Sequence, residues 1–431
     1  MDDLDESTCQ VASAATIALT MAKIVFCCEN YTPSVGGVQE VMRQIAERTA
    51  AAGHQVTVAT TAHPDRPTEC VINGVVVKSF AMGGNLVRGL SGDIGSYTHF
   101  LRDEPYDVIM IKAAQQVTFD AAIDVLDDIT AWKVFIPCGF SGLGHSEYAK
   151  YYTNMAEYLR KFDRLIFYSA HYKDIEFARR AGIGNLEIIP NGVDEREFFG
   201  ADTAGTNAGT DATLTILTVG SRIPAKGHWE ALRTFEAAKI NEPARLILNG
   251  NIPYGRVRGV LSSIRTLMRG QLPLVFKAHY ANLRFVLRRQ LKRVEMTDYS
   301  RSELLRAYQS ADLFLFASHV EYSPLVLFEA AASGTPFVCT DVGNAQEIAT
   351  WTGAGIVASP SVSAIGSAKV VEKLAAAMEM LLSDSQRRRK MGTDGRRLMR
   401  ERFCWDTIVR QYWRVMGVDC RPDPKQVECK R

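Results

Sequence analysis

A chain of 431 residues, 47% hydrophobic and 23% charged, has the composition of a globular protein and is too long for one ordinary core, so two domains are the default. The net charge of +2 gives no global pull toward nucleic acid or lipid, and any electrostatic partner must be met by a local patch. Nine cysteines, at 9, 27, 28, 70, 138, 339, 404, 420 and 429, contain no Cys-x-x-Cys pair, which points to reduced thiols in a cytosolic protein and away from a disulfide or zinc framework.

No span reaches transmembrane length without a charge. The nearest, Val11 to Cys28, is interrupted by Lys23, and the preceding MDDLDES has the wrong sign for a signal peptide. Residues 1–20 are expected to be an extension before the first strand. Lys23 to Cys28 is a buried strand, Tyr31 to Gln39 a loop carrying Gly36 and Gly37, Gln39 to Ala52 an amphipathic helix stopped by Gly53, and His54 to Ala59 the next strand. This is how a doubly wound domain opens, yet G-x-G-x-x-G is absent, so the dinucleotide fingerprint is not there. Asp107 to Ile111 and Lys133 to Pro137 are further strands. The second runs into a small-residue loop from Cys138 and Gly139 to His145, followed by a helix (Tyr148 to Phe162), a strand (Leu165 to Ser169) and a helix (Tyr172 to Ala181).

Ile188 to Asp194 closes the first half, and GADTAGTNAGTDA, residues 200–212, has no apolar periodicity and is expected to connect the halves. Leu214 to Val219 then opens a second unit, with Arg222 and Lys226 four apart in a glycine-flanked loop ahead of a helix from about Trp229. A planar fork, a point charge and a helix start together suit a diphosphate. It is not a Walker loop, because Gly-Lys-[Ser/Thr] is missing. After the strand Ala244 to Asn249, the stretch 253–293 holds ten Arg and Lys and no Asp or Glu, leaving the remainder at net −8. Its apolar residues recur at helical spacing, Leu283, Phe285-Val286, Leu287 and Leu291 among them. Such basic amphipathic helices fit an anionic membrane surface or a polyanion, and equally a basic face docked on the acidic remainder of the protein.

Val294 to Asp298 and the helix Ser302 to Ser310 lead to the buried strand Leu313 to Phe316, a polar turn holding Glu321, and a helix from about Leu325 that carries Glu329 and ends at Gly334. The strand Phe337 to Cys339 comes next. At the carboxyl end of such a strand, the loop and the helix start form a ligand crevice whose free amides favour an anion. Carboxylates only accept hydrogen bonds, so a pair of them beside an anion site calls for hydroxyl donors, which a sugar or a ribose supplies. Helices are expected at Lys369 to Leu382, Gln386 to Arg402 and Thr407 to Met416, with a tail over 417–431.

Glu321 to Glu329 resembles the Glu-x7-Glu motif of the retaining GT-B glycosyltransferases, family 4 in particular. Ala332 to Pro336 and Asp341 to Glu347 resemble the segments on the carboxyl side of that motif in the family; PSVGGVQ resembles the acceptor-side loop, Ile189 to Asp194 the phrase entering the interdomain linker, and Gly220 to Gly227 the phosphate loop. The resemblance runs from about residue 22 to 416 with a gap at 253–293. It implies an α/β chain of GT-B type, two Rossmann-like doubly wound domains facing each other across a cleft. The acceptor domain would span 21–195 and the donor domain 196–402 with a basic insertion at 253–293, while residues 403–416 form a helix crossing back to the first domain.

The activity it implies is transfer of a sugar, with retention, from a nucleoside diphosphate sugar to a saccharide or lipid-linked hydroxyl, without metal or other cofactor and without nucleic acid. The setting would be cytoplasmic, with peripheral attachment to an anionic membrane face through 253–293. Arg222 and Lys226 would hold and stabilise the diphosphate, with the helix start at Ser323, Pro324 and Leu325; Glu321 would hold the sugar hydroxyls and Glu329 the ribose. Gly36, Gly37, Cys138, Gly139 and His145 would face the acceptor side. Where much of the family has a His after the strand, this chain has Cys138, and His145 is either its substitute or an exposed loop residue. A nucleotide-sugar epimerase, a phosphorylase, or a scaffold that binds nucleotide sugar without turnover would share the fold.

Overall fold

The computed structural model describes residues 21–199, 213–251, 273–358 and 367–418. The expected extension 1–20, the connection 200–212, most of the first half of the basic stretch and most of the tail lie outside them.

Two parallel sheets organise the chain. The first contains β1 (Lys23–Cys27), β2 (Gln55–Thr61), β3 (Glu69–Ile72), β4 (Val75–Phe80), β7 (Val108–Lys112), β8 (Trp132–Ile136), β9 (Arg164–Phe167) and β10 (Leu186–Ile188), in the order β10-β9-β8-β7-β1-β2-β4-β3. Within it only the edge pair β3–β4 is antiparallel. A separate antiparallel pair, β5 (Met82–Asn85) and β6 (Gly89–Gly92), lies between β4 and the helix Ile94–Asp103. The second sheet holds β11 (Leu214–Val219), β12 (Ala244–Asn249), β13 (Lys292–Thr297), β14 (Leu313–Phe316), β15 (Phe337–Cys339) and β16 (Gly355–Val357), all parallel, in the order β13-β12-β11-β14-β15-β16. Both sheets are doubly wound, and both orders reverse beside the first strand of their domain. That reversal opens a crevice at the strands' carboxyl ends.

Strands β1, β7 and β14 are apolar on both faces because helices cover both sides: every residue of β7 and β14, and all but Lys23 of β1, is buried. One apolar cluster runs from the first domain into the second, taking in Ile24, Met110 and Val134 on one side and Phe314, Phe328, Trp405 and Tyr412 on the other. The last helix, Trp405–Met416, joins the halves. Its Trp413 indole donates to Thr49 Oγ1 at 2.9 Å, Arg48 pairs with Asp406 at 2.6 Å, and the Trp132 indole donates to the Val415 carbonyl at 3.0 Å. Its own Trp405, Ile408 and Tyr412 are buried, each worth about 1.5–3 kcal/mol of apolar burial.

The second half of the basic stretch is an ordinary part of this architecture. Leu274–Leu287 is the helix that carries the chain from β12 to β13, and Lys292 and Arg293 already belong to β13.

Candidate active site

The two carboxyl-end crevices face each other, and between them lies a cavity of about 770 Å³. Its second-domain wall comes from the loop after β11, the turn after β14 and the helix Leu325–Ala332; its other wall comes from the loop Thr32 to Val38, the ends of β7 and β8, and Tyr168 after β9.

On the second-domain wall, Gly227 lets the loop close. Its φ is +67°, and a Cβ there would stand 1.8 Å from the Ala317 carbonyl oxygen, so only glycine fits. The turn delivers Lys226 to Glu321, Nζ to Oε1 at 2.6 Å, and the same carboxylate oxygen accepts from Ser318 Oγ at 3.1 Å. Pro324 stands just before the first turn of the helix Leu325–Ala332, so the first amides of that turn have no partner within the helix. Glu329, one turn further on, accepts from Arg301 Nη1 at 2.7 Å, and Arg301 also holds Glu197 at 2.6 Å. Burial pushes the Glu329 carboxyl above its ordinary range, against the pull of Arg301. Lys226, Glu321, Ser323, Pro324, Leu325 and Glu329 all line the one cavity.

Arg222 is placed differently. Its Nη2 donates to the Thr297 carbonyl at 2.7 Å, its buried Nε has no partner among the described residues, and it is not one of the lining residues.

On the opposite wall, Gly36 and Gly37 line the cavity, and Gly37 lies against Leu325. Cys138 lines it too, in a left-handed backbone conformation with φ +60°, and burial pushes its thiol up to about 11. Gly139 sits behind, its amide donating to Asp174 Oδ2 at 2.8 Å. His145 is exposed and does not reach the cavity, so nothing here brings it to the place where Cys138 stands.

Three groups that sequence reasoning passed over belong to the site. Lys112, the last residue of β7, lines the cavity yet is 1% exposed; its ammonium donates to the Val38 carbonyl at 3.4 Å and lies 5.3 Å from the Tyr168 ring centroid. Burial holds its pKa down to about 8, with the Cys138 and Cys28 thiols pulling weakly the other way. A lysine closing a buried strand at the carboxyl edge of a parallel sheet was the available signal. Arg301 gave no comparable signal.

Tyr322 is the third. It crosses the cleft, its hydroxyl accepting from the Tyr168 amide at 3.0 Å, its ring 5.3 and 5.0 Å from those of Tyr168 and Tyr172. Tyr172 donates in return to the Glu321 carbonyl at 3.0 Å, Asn191 to Ser323 Oγ at 3.0 Å, and Asn344 to the Tyr168 carbonyl at 2.9 Å. Glu347 accepts from Ser169 and from the Ala170 amide. The turn that carries Glu321 is therefore held from both domains.

Two doubly wound domains with a phosphate-loop-like lysine, paired carboxylates and a helix start meeting in one interdomain cavity define the GT-B class. Sequence comparison gives the family: residues 209–398 match the profile described as Glycosyl transferases group 1, and residues 35–197 match Glycosyltransferase Family 4. The chain belongs to the GT-B glycosyltransferases of family 4 type.

Among curated relatives, a D-inositol 3-phosphate glycosyltransferase of Mycolicibacterium gilvum is 28% identical over 186 residues, 42% of this chain and 38% of that protein. A glycogen synthase of Mycobacterium tuberculosis is 31% identical over 108 residues, 25% of this chain and 24% of the relative. The matches thus span well under half of either relative. Among solved structures, sucrose-phosphate synthase of Thermosynechococcus elongatus superposes with a TM-score of 0.70 at 20% identity over 95% of this chain and 100% of that one. Anabaena HepE in complex with UDP and glucose gives 0.65 at 16% identity, over 92% and 99%. At these identities the likeness is one of fold.

Proposed function

We propose that the cleft transfers a sugar from a nucleoside diphosphate sugar to an acceptor hydroxyl, a saccharide or lipid-linked saccharide, with retention at the anomeric carbon and without a metal. The observation that carries this is the convergence of Lys226, Glu321, the start of the helix Leu325–Ala332 and Glu329 on one cavity. The neighbouring structure with UDP and glucose in place supports a nucleotide-linked donor.

In the free protein Lys226 and Glu321 neutralise each other. An arriving donor offers each a better partner, the diphosphate for the ammonium and the sugar hydroxyls for the carboxylate, so the pair is exchanged rather than left desolvated. As the diphosphate departs it gains negative charge, and Lys226 with the free helix amides stabilises that charge more than the ground state. Glu329, steadied by Arg301, accepts from the ribose. On this reading the leaving phosphate oxygen takes the acceptor's proton on the same face, and a histidine at the position of Cys138 is not required. Arg222 serves the diphosphate only if its guanidinium leaves the Thr297 carbonyl.

The setting is cytoplasmic, at an anionic membrane face. No helix among the described residues is long and apolar enough to cross a membrane, so such attachment would be peripheral. The test is release of free sugar from a panel of UDP-, GDP- and ADP-linked hexoses. One donor is expected to be slowly hydrolysed, and Glu321→Ala to abolish it. Binding with no hydrolysis would favour a nucleotide-sugar scaffold, and an inverted or isomerised sugar would favour an epimerase.

A further inference from the structure

The helix Leu274–Leu287 has two apolar faces and needs only one of them for the fold. Ala278, Ala281 and Phe285, at i, i+3 and i+7, are buried against the second domain, with Phe285 edge-on to Phe235 at 5.9 Å. Diametrically opposite, Phe276, Tyr280, Leu283 and Leu287 recur at i, i+4, i+7 and i+11, and these are 55%, 60%, 55% and 74% exposed. Val286 widens the stripe and Leu291 prolongs it past the helix end; both are exposed. Single exposed apolar residues are ordinary, but a row of four on one helix face, with Val286 beside it, marks a surface made to meet something apolar.

The charges around the stripe say what that is. No acidic residue occurs from 253 to 293. Arg284 is taken by Glu236 at 3.2 Å, and Lys277 packs over the Trp229 ring at 4.0 Å. Arg288 and Arg289, at the exposed end of the helix beside Leu287, make no ion pair among the described residues. An apolar stripe with unneutralised arginines at its edge fits a surface that is apolar within and negative at its rim.

We propose that the outward face of Leu274–Leu287 is a membrane-docking element: Phe276, Tyr280, Leu283 and Leu287 enter the acyl boundary of an anionic bilayer while Arg288 and Arg289 meet its headgroups. This gives the location proposed above a definite structural basis. It rests on that reading only for its purpose, because the stripe lies outside the cleft. The helix joins β12 to β13 in the donor domain, so docking there leaves the opposite domain free to move against it.

The test is co-sedimentation of the full-length protein with vesicles of phosphatidylcholine alone or with about one-third phosphatidylglycerol, at low and high salt. The wild type is expected to pellet with the anionic vesicles. The triple variant Phe276→Ser, Leu283→Ser, Leu287→Ser should lose at least about tenfold in partitioning at low salt. Arg288→Glu with Arg289→Glu should lose binding to the anionic vesicles specifically. None of these residues belongs to the core stripe, so melting temperatures should match the wild type, and nucleotide-induced stabilisation should persist in every variant whether or not the membrane binds. Wild-type partitioning by the triple variant would overturn insertion, as would absence of binding at low salt. A concentration-dependent dimer in light scattering that the triple variant abolishes would overturn it in favour of a second copy of this chain.

Discussion

The two walls of the cleft solve the problem of charge in opposite ways. On the second-domain wall each cation lining the cavity already has a carboxylate: Lys226 has Glu321, and Arg301 has Glu329 and Glu197. On the other side Arg43 is paired with Glu40 and Glu47, but Lys112 is buried with no carboxylate partner among the described residues, held by a long contact to a carbonyl and the Tyr168 ring, among thiols and tyrosines that stay neutral at physiological pH. On the proposed reading, the paired wall exchanges its partners for those of a ligand at little cost. The lone lysine instead imposes a standing desolvation penalty, and its removal should affect stability before it affects anything else.

The sharpest break of this contrast is on the paired wall. Glu321→Ala should reduce turnover by roughly 10²–10³-fold and Lys226→Ala by about 10²-fold, read by steady-state kinetics with the donor that the hydrolysis panel identifies. For Lys226→Ala the fall in kcat should exceed the rise in donor Kd. A purely affinity-level loss would contradict the transition-state role.

On the other wall Lys112→Met should stabilise the fold at pH 7, by about 3 kcal/mol at most. The sign follows from its pKa, lowered from 10.5 to about 8 by burial. The folded state holds this proton less tightly than the unfolded chain, so the penalty is full below about pH 8 and is relieved as pH rises toward 10.5. Denaturant unfolding should therefore show wild type and variant converging across that window; parallel curves would mean that the ammonium is solvated.

Gly139→Ala probes the join between the walls. The added Cβ would stand 2.9 Å from the Tyr322 ring, at a residue with φ +90°, and a loss of about 1–3 kcal/mol is expected with weaker docking of the Glu321 turn. The smallest effect should come from Glu329→Gln, which keeps the shape and leaves Arg301 its Glu197 partner. Nucleotide affinity should fall by roughly tenfold or less in calorimetry, and unchanged affinity would remove the ribose role.

The wall built by the second domain was legible in the sequence because it is local. Glu321, the helix start and Glu329 lie within one strand-turn-helix unit, and the apolar runs of β14 and β15 fix that unit in a parallel sheet. The buried strands β1, β7 and β11 were legible for the same reason. The other wall is assembled from segments far apart in the chain. That Lys112 meets Val38, Cys138 and Tyr168 depends on the strand order of the first sheet, and that Tyr322 meets Tyr168 across 154 positions depends on how the two domains close; no local pattern encodes either.

The basic stretch shows a different limit. Periodicity correctly indicated a helix, but a helix apolar on two sides has no unique inward face. Its most conspicuous apolar residues, Leu283, Val286, Leu287 and Leu291, are exposed, while Ala278, Ala281 and Phe285 pack on the core. The apparent insertion is, over Leu274–Leu287, the connection every doubly wound sheet needs between adjacent parallel strands.

The most direct test of the central claim, that the paired wall receives a nucleoside diphosphate, is a thermal-shift panel of UDP, GDP, ADP and their hexose conjugates on the wild type and Lys226→Ala. One nucleotide should raise the wild-type melting temperature, because it binds only the folded state, and the shift should shrink in the variant. No shift with any of them, or an equal shift in both proteins, would contradict the account.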